Sequence, residues 1–317
     1  MGKNISIGIL NDKIMSFGDS LLKVLLKDRT TNKNIVWASK DYEFLGLPYL
    51  EFKEITIELI SSKDIKFIKP RVLKSFEKQE IRTRDKGEVF TPSWVCNLQN
   101  NKIDEMWFNK KNVFNKTSNK GWDTNYSKIE FCDCLDKTWK DYVRNRRLEI
   151  SCGEAPYLVS RYDTVSGKPI DVKDRIGLLD RKIRVINENI DEKNQWVRWV
   201  VIAYQSIYGY EIQGDNLLLA RENLLLTFIE NMEYKFGTKP NLKELNKIAF
   251  IISWNIWQMD GLNYTVPNQS SDKKHQQLSL FEEEFIDTEN NNKIYCKIKN
   301  WEENKTIEFR SLMEDKR

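Results

Sequence analysis

The sequence predicts an α/β fold: a parallel, doubly wound sheet preceded by a small N-terminal α+β region over residues 1–80. Three observations predict it. After about residue 145, strand-like apolar runs alternate with segments of helical period, the signature of parallel crossovers. Each of those runs closes on an acid at a turn. The composition, 40% hydrophobic and 31% charged over 317 residues, supports a packed core under a mixed-charge surface.

In the first eighty residues, NISIGIL and NIVWAS have strand character and SLLKVLLKD has helical spacing. The basic stretch 68–88 (IKPRVLKSFEKQEIRTRDKGE) reads as a solvated face, with DNA contact as its rival. In EVFTPSWVCNLQN, Thr91 is the expected N-cap of a helix and Pro92 its first residue. Residues 109–128, rich in Asn, Lys, Gly and Ser, read as an exposed loop. A helix is expected over 134–146, then in LEISCGEAPYLVSRYD (148–163) a strand, a glycine turn and a helix. Helices follow over 176–190 and 193–209, then a short strand in YGYEIQGD (208–215). NLLLARENLLLTFIENMEYKFG (216–237) is a helix closed by Gly237. NLKELNKIAFIISW is another helix, and NIWQMDGL (255–262) a short strand and turn. Residues 263–294 are polar and low in complexity, a flexible insertion. A last strand (KIYCKIKNW) and a charged tail occupy 295–317.

Several function classes are disfavoured. A net charge of +4 permits a local nucleic-acid surface without requiring one. No apolar run is long enough to span a membrane and no signal peptide is legible, so a cytoplasmic protein is expected. Five scattered cysteines suggest reduced thiols rather than a disulfide framework. With His275 as the one histidine, a structural zinc site or a histidine-based catalytic triad is not expected.

The turns after the strands suggest a nucleoside site, because ligands of such sheets sit beyond the carboxyl ends of the strands. Glu149, Cys152 and Gly153 form the first turn, where glycine permits close backbone approach. Glu211 ends the second strand, where an acid can accept from ribose hydroxyls. Asp260 ends the third, where an acid can accept from an exocyclic amine. No G-x-G-x-x-G and no Walker loop occurs, which favours a nucleoside without phosphates. Taken singly, Gly153 reads as a plain turn, and Glu211 and Asp260 as solvated acids; their order carries the nucleoside reading.

The order EVFTPSWV, LEISCGEAPYL, YGYEIQGDNLLLAREN, NIWQMDGL resembles the amino-methylating DNA methyltransferases of restriction–modification systems. More narrowly, it resembles bacterial proteins labelled restriction endonuclease subunit M, over roughly residues 80–262. The resemblance implies a Rossmann-like class I S-adenosylmethionine-dependent methyltransferase sheet, truncated here, over residues 81–262. It implies that Thr91 and Pro92 close over the methionine end of S-adenosylmethionine. It further implies that Glu149, Cys152 and Gly153 cradle methionine and ribose, Glu211 binds ribose and Asp260 binds adenine.

The chain departs from the family pattern twice. EAPY replaces the second glycine of the turn, and no Asn-Pro-Pro-Tyr/Phe tetrapeptide occurs. In the family that tetrapeptide holds the target amine and stacks the flipped base. Asn300 and Trp301, in IKNWEEN, are its best positional match and the candidate catalytic pair. The later strands and the target-recognition domain of the family are not in the sequence.

Two functions follow as expectations. One is an adenine-specific DNA methyltransferase of a bacterial or phage defence system, working with DNA and a specificity or restriction subunit. The other is a catalytically incomplete binding subunit with the same fold. A short motif adds a partner: QLSLF, with Gln277, Leu278, Leu280 and Phe281, matches peptides that dock on the DNA polymerase sliding clamp. Packing on the parent domain is its alternative. The Trp-rich WVRWVVIAY reads as core rather than as a base-stacking platform.

Overall fold

The structure, a computed structural model, describes residues 18–61, 68–86, 88, 91–131, 137–267 and 293–314. NISIGIL, QLSLF and most of the polar insertion lie outside the described residues.

The fold is mixed α/β. Its centre is a three-stranded parallel sheet of β3 (Arg147–Glu149), β4 (Ile207–Glu211) and β5 (Ile256–Gln258), paired in that order. Two crossovers join the strands. The first carries α6 (Leu178–Asn189) and α7 (Lys193–Gln205), the second α8 (Gly214–Phe236) and α9 (Leu242–Asn255). Strand pleating puts Ile207, Gly209, Glu211, Ile256 and Gln258 on one face, and Tyr208, Tyr210 and Trp257 on the other. Ile207 and Ile256 join the main apolar core under the helices. Tyr208, Trp257 and Met259 form a second core with Cys296, Ile298 and Phe309, from the antiparallel hairpin β6 (Lys297–Asn300) and β7 (Lys305–Glu308). Among the described residues a hairpin covers the face where the doubly wound expectation puts further helices. Aromatic side chains at alternate positions of two short strands suit a hairpin lid, which needs few residues to bury them.

Helix α8 is buried on nearly every side. A helix apolar on one stripe would sit at the surface; LLLA and NLLLTF fill both flanks, so this one runs through the core. Each buried leucine contributes roughly 1.5–3 kcal/mol. The one cation at its centre, Arg221, is satisfied by carbonyls: Ile256 at 2.7 Å, Lys27 at 3.0 Å, and Leu25. Gly237 ends the helix in the left-handed conformation, φ 66°, as the sequence predicts. At the other end, a Cβ on Gly214 would lie 2.1 Å from the Val36 carbonyl, so the helix start needs glycine.

The N-terminal region shares this core. Helix α1 (Asp19–Leu26), which α2 (Ile57–Ser61) and α3 (Phe76–Lys86) follow, buries Leu21, Leu22, Leu25 and Leu26 in the same cluster as Leu217 and Ile248. Among the described residues NIVWAS forms only isolated bridges, Lys27 with Asn34 and Val36 with Glu54, and Ala38 turns left-handed, φ 47°. Its polar groups are met by Gln258, which accepts from Val36 N and donates to Val36 O. Two further expectations change. The 109–128 segment contains a hairpin, β1 (Asn115–Ser118) with β2 (Gly121–Thr124), whose Asn-Lys turn reads as loop by composition. The helix expected over 134–146 is described only as α5 (Trp139–Arg144), capped by Thr138 and Asp141. No described helix is long and apolar enough to cross a membrane.

Candidate functional site at the carboxyl edge of the sheet

The first strand delivers LEISCGEAP into a tight turn, and turns rather than the expected helix follow it to Asp163. Ser151, Gly153 and Ala155 all take positive φ, 47°, 53° and 63°. Only glycine adopts this region without steric cost, so the turn is strained at two residues. Ala155 lies in EAPY, where the sequence departs from the glycine pattern, and the left-handed backbone persists there. The turn is held from two sides. Glu149 accepts from Tyr157 N at 3.3 Å and Leu158 N at 3.2 Å. Cys152 N donates to the Tyr210 carbonyl at 2.8 Å, stitching the turn to the next strand.

Glu211 then closes on this turn. Its Oε2 accepts from Gly153 N at 2.8 Å, and its Oε1 from Ile212 N and Gln213 N, both at 3.0 Å. The sequence reading puts Gly153 and Glu211 in one site, and the fold brings them into direct contact. A carboxylate has about four acceptor directions, so Glu211 keeps one beyond these three. Burial pushes its pKa up; the Gln213 and Gly153 amides oppose this, and Asp215 and Glu88 add to the rise. Glu149 is likewise raised, again by burial first. The Cys152 thiol is pushed well up by burial and two neighbouring acids, which keeps it protonated and unreactive.

Asp260 follows β5 and organises its own turn. It accepts from Leu262 N at 2.9 Å, Asn263 N at 3.3 Å and Asn263 Nδ2 at 2.7 Å. A Cβ on Gly261 would lie 2.8 Å from the Tyr210 ring, so this turn lies against the strand that carries Glu211. Thr91 and Pro92 reach the same edge. Pro92, rather than Thr91, is the N-cap of α4 (Ser93–Phe108). The shift by one residue has a cause. Ser93 N donates outward to Asp163 at 2.8 Å, and the Thr91 carbonyl accepts from Thr164 Oγ1 at 3.0 Å. Both partners lie on the loop after the glycine turn, so the Thr-Pro segment is pinned over it.

A polar cluster beside Glu211 has no counterpart in the sequence reading. Arg82, expected on a solvated face, is buried. It pairs with Glu88 at 2.5 Å and Asp41 at 2.5 Å, and reaches Asp215 and Gln213. Lys74 adds a second cation on Asp215 at 3.1 Å. Burial alone would raise Asp215; Lys74 and Arg82 outweigh it and hold the carboxyl far below its ordinary value. The partners are far apart in sequence, and no periodicity links them. Two buried acceptors of this cluster, Glu88 Oε1 and Asn216 Oδ1, have no hydrogen-bond partner among the described residues.

The candidate catalytic pair is elsewhere. Trp301 Nε1 donates to Asn255 Oδ1 at 2.8 Å, just before β5 begins. Its neighbour Glu302 pairs with Arg146, just before β3, and Asn300 accepts from Glu302 N within its own turn. Asn300 and Trp301 therefore lie at the amino ends of the strands, across the sheet from Gly153 and Glu211. The five-residue strand β4 spans roughly 15 Å between those edges. The reason is the hairpin: β6 pairs with β7 over the aromatic face, instead of adding a parallel strand beside β3. Among the described residues β3 pairs on one side only, and Leu148 on it and Ile150 just after it stay 46% and 66% exposed.

No protein-family model, curated protein or solved structure matches this chain.

Proposed function

We propose that this chain is the S-adenosylmethionine-binding subunit of an adenine-specific DNA methyltransferase of a restriction–modification or phage-defence system. The observation that carries the reading is the hydrogen bond from Gly153 N to Glu211. It joins the two turns that the sequence order assigns to one nucleoside, at the edge of a parallel sheet where ligands bind. In this reading Glu211 accepts from ribose and Asp260 from the adenine amine, each through its remaining acceptor direction. The glycine turn takes the methionine end, and the Thr91–Pro92 segment covers it. When bound, S-adenosylmethionine supplies an electrophilic methyl group for an adenine amine.

The finer architecture belongs to the same proposal. The parallel order β3–β4–β5 supports reading the sheet as one half of a Rossmann-like methyltransferase sheet, in which the catalytic strand would lie beside β3. The place of Asn300 and Trp301 favours the subunit form over a lone enzyme. Neither reaches the proposed cofactor seat, and a partner chain carrying the missing tetrapeptide would dock at β3. Methyl transfer from tritiated S-adenosylmethionine to DNA distinguishes the two. The subunit reading expects no transfer by the purified chain and transfer once a specificity or restriction subunit is added. Transfer by the chain alone, abolished by Asn300→Ala, would restore the lone enzyme.

A further inference from the structure

The amino edge of the sheet carries a site that the cofactor reading does not use. A cavity of about 170 Å³ opens there, lined by Arg144, Arg146, Ser206, Tyr208, Trp301 and Glu302 among others. It is smaller than the roughly 300–1,000 Å³ of clefts that hold drug-sized ligands, so its capacity is one ring system, not a whole cofactor. Its walls combine two guanidinium groups with two aromatic rings. Trp301 is fixed by its bond to Asn255, and Tyr208 by its hydroxyl on the Lys299 carbonyl at 3.2 Å. The rings are therefore held in place before any ligand arrives.

Beside the cavity the same chemistry repeats. Trp139 and Trp199 stand with ring centroids 4.6 Å apart, and the Arg144 guanidinium lies 4.6 Å from the Trp199 ring. Lys140 approaches both rings, at 5.9 and 5.8 Å. On the hairpin, Lys299 lies 5.5 Å from the Trp301 ring. Cations interleaved with rings along one edge form a band from α5 through α7 to the hairpin. Trp196 of WVRWVVIAY is core, fully buried, whereas Trp199 is partly exposed on this band.

We propose that this band binds a single-stranded nucleic acid, with one base in the cavity against Tyr208 and Trp301 and its phosphates on Arg144 and Arg146. Rings recognise base faces, which only unpaired strands offer, and guanidinium groups match phosphates. Glu302 occupies Arg146 at 2.6 Å in an exposed pair; such a pair is weak, and a phosphate can displace it. The site is across the sheet from Gly153 and Glu211, so it stands whether or not that edge binds S-adenosylmethionine.

Fluorescence anisotropy with labelled oligo-dT and oligo-U, against a duplex of the same length, tests it. The full chain is expected to prefer either single strand to the duplex. Arg144→Glu and Arg146→Glu should each weaken binding on the order of tenfold and flatten its salt dependence. Trp301→Leu should weaken it too, and Glu302→Gln should strengthen it. Lys173→Glu, a reversal beside Tyr126 away from the band, should change it far less. Circular dichroism controls for folding, and Arg146 and Glu302 are exposed, so their variants keep the test open if Trp301→Leu misfolds. Equal affinity for duplex and single strand, or binding unmoved by Arg146→Glu and Glu302→Gln, would overturn the proposal.

Discussion

Replacing Glu211 by glutamine keeps the shape of the side chain and removes one of its two acceptor oxygens. In the native structure three backbone amides share those oxygens, Ile212 and Gln213 on Oε1 and Gly153 on Oε2. The amide oxygen can serve only one side. Facing Ile212 and Gln213 it orphans one donor; facing Gly153 it orphans two, so the first orientation wins. The new NH₂ group then opposes the Gly153 N–H. Leaving a buried donor unmet costs about 1–3 kcal/mol. Global stability falls by less, because the amide also spares the cost of burying a carboxylate whose pKa burial has raised. The local readout is therefore hydrogen exchange at Gly153, which reports the bond itself. Its protection should fall by roughly 5- to 150-fold, the same 1–3 kcal/mol expressed as a rate. Protection unchanged within about twofold would mean that Glu211 does not hold the turn, and the joined site would fail with it.

Other outcomes follow from the same geometry. Burial pushes Glu222, in the middle of α8, up to about 8 from an ordinary 4.5. A carboxyl raised in the folded state stabilises below its unfolded value, and that stability is lost as pH rises through the folded one. At about 1.4 kcal/mol per tenfold change the loss approaches about 5 kcal/mol by pH 8. In urea unfolding, Glu222→Gln should gain on the native chain between pH 5 and pH 8; a difference that does not grow with pH would contradict this. Ala155→Gly should stabilise by about 0.5–1 kcal/mol, since relief of about 1–2 kcal/mol of left-handed strain exceeds the entropy that glycine loses. A loss of stability would show that the buried Ala155 methyl outweighs the strain. Phe281→Ala should abolish capture of the chain by immobilised sliding clamp; capture unchanged by the substitution would refute docking through QLSLF.

Where neighbours in sequence decide the structure, the residues spoke clearly. Gly237 ends its helix as expected, and the three strands lie where apolar runs close on Glu149, Glu211 and Gln258-Met259-Asp260. What escaped was set by distant partners. Arg82 looks like a surface cation until Asp41, Glu88 and Asp215 surround it, and Asp215 lies far along the chain. KIYCKIKNW reads as a strand, which it is in part, but nothing local says whether it extends the parallel sheet or folds into a hairpin. Tyr208, Tyr210 and Trp257 decide that by needing cover. The displacement of Asn300 follows from that choice. The Trp-rich segment divided because helical period puts Trp196 inward and leaves Trp199 at the rim.

The central claim is that the carboxyl edge, built on Gly153 and Glu211, holds S-adenosylmethionine. Titration calorimetry of the chain with S-adenosylmethionine tests it most directly. Glu149 and Glu211 are both raised by burial, and a cationic ligand would favour their ionised forms. Binding should therefore release protons, tighten as pH rises, and weaken at least tenfold in Glu211→Gln and Asp260→Ala. No binding heat in buffers of differing ionisation enthalpy, or binding that both variants leave intact, would contradict the account.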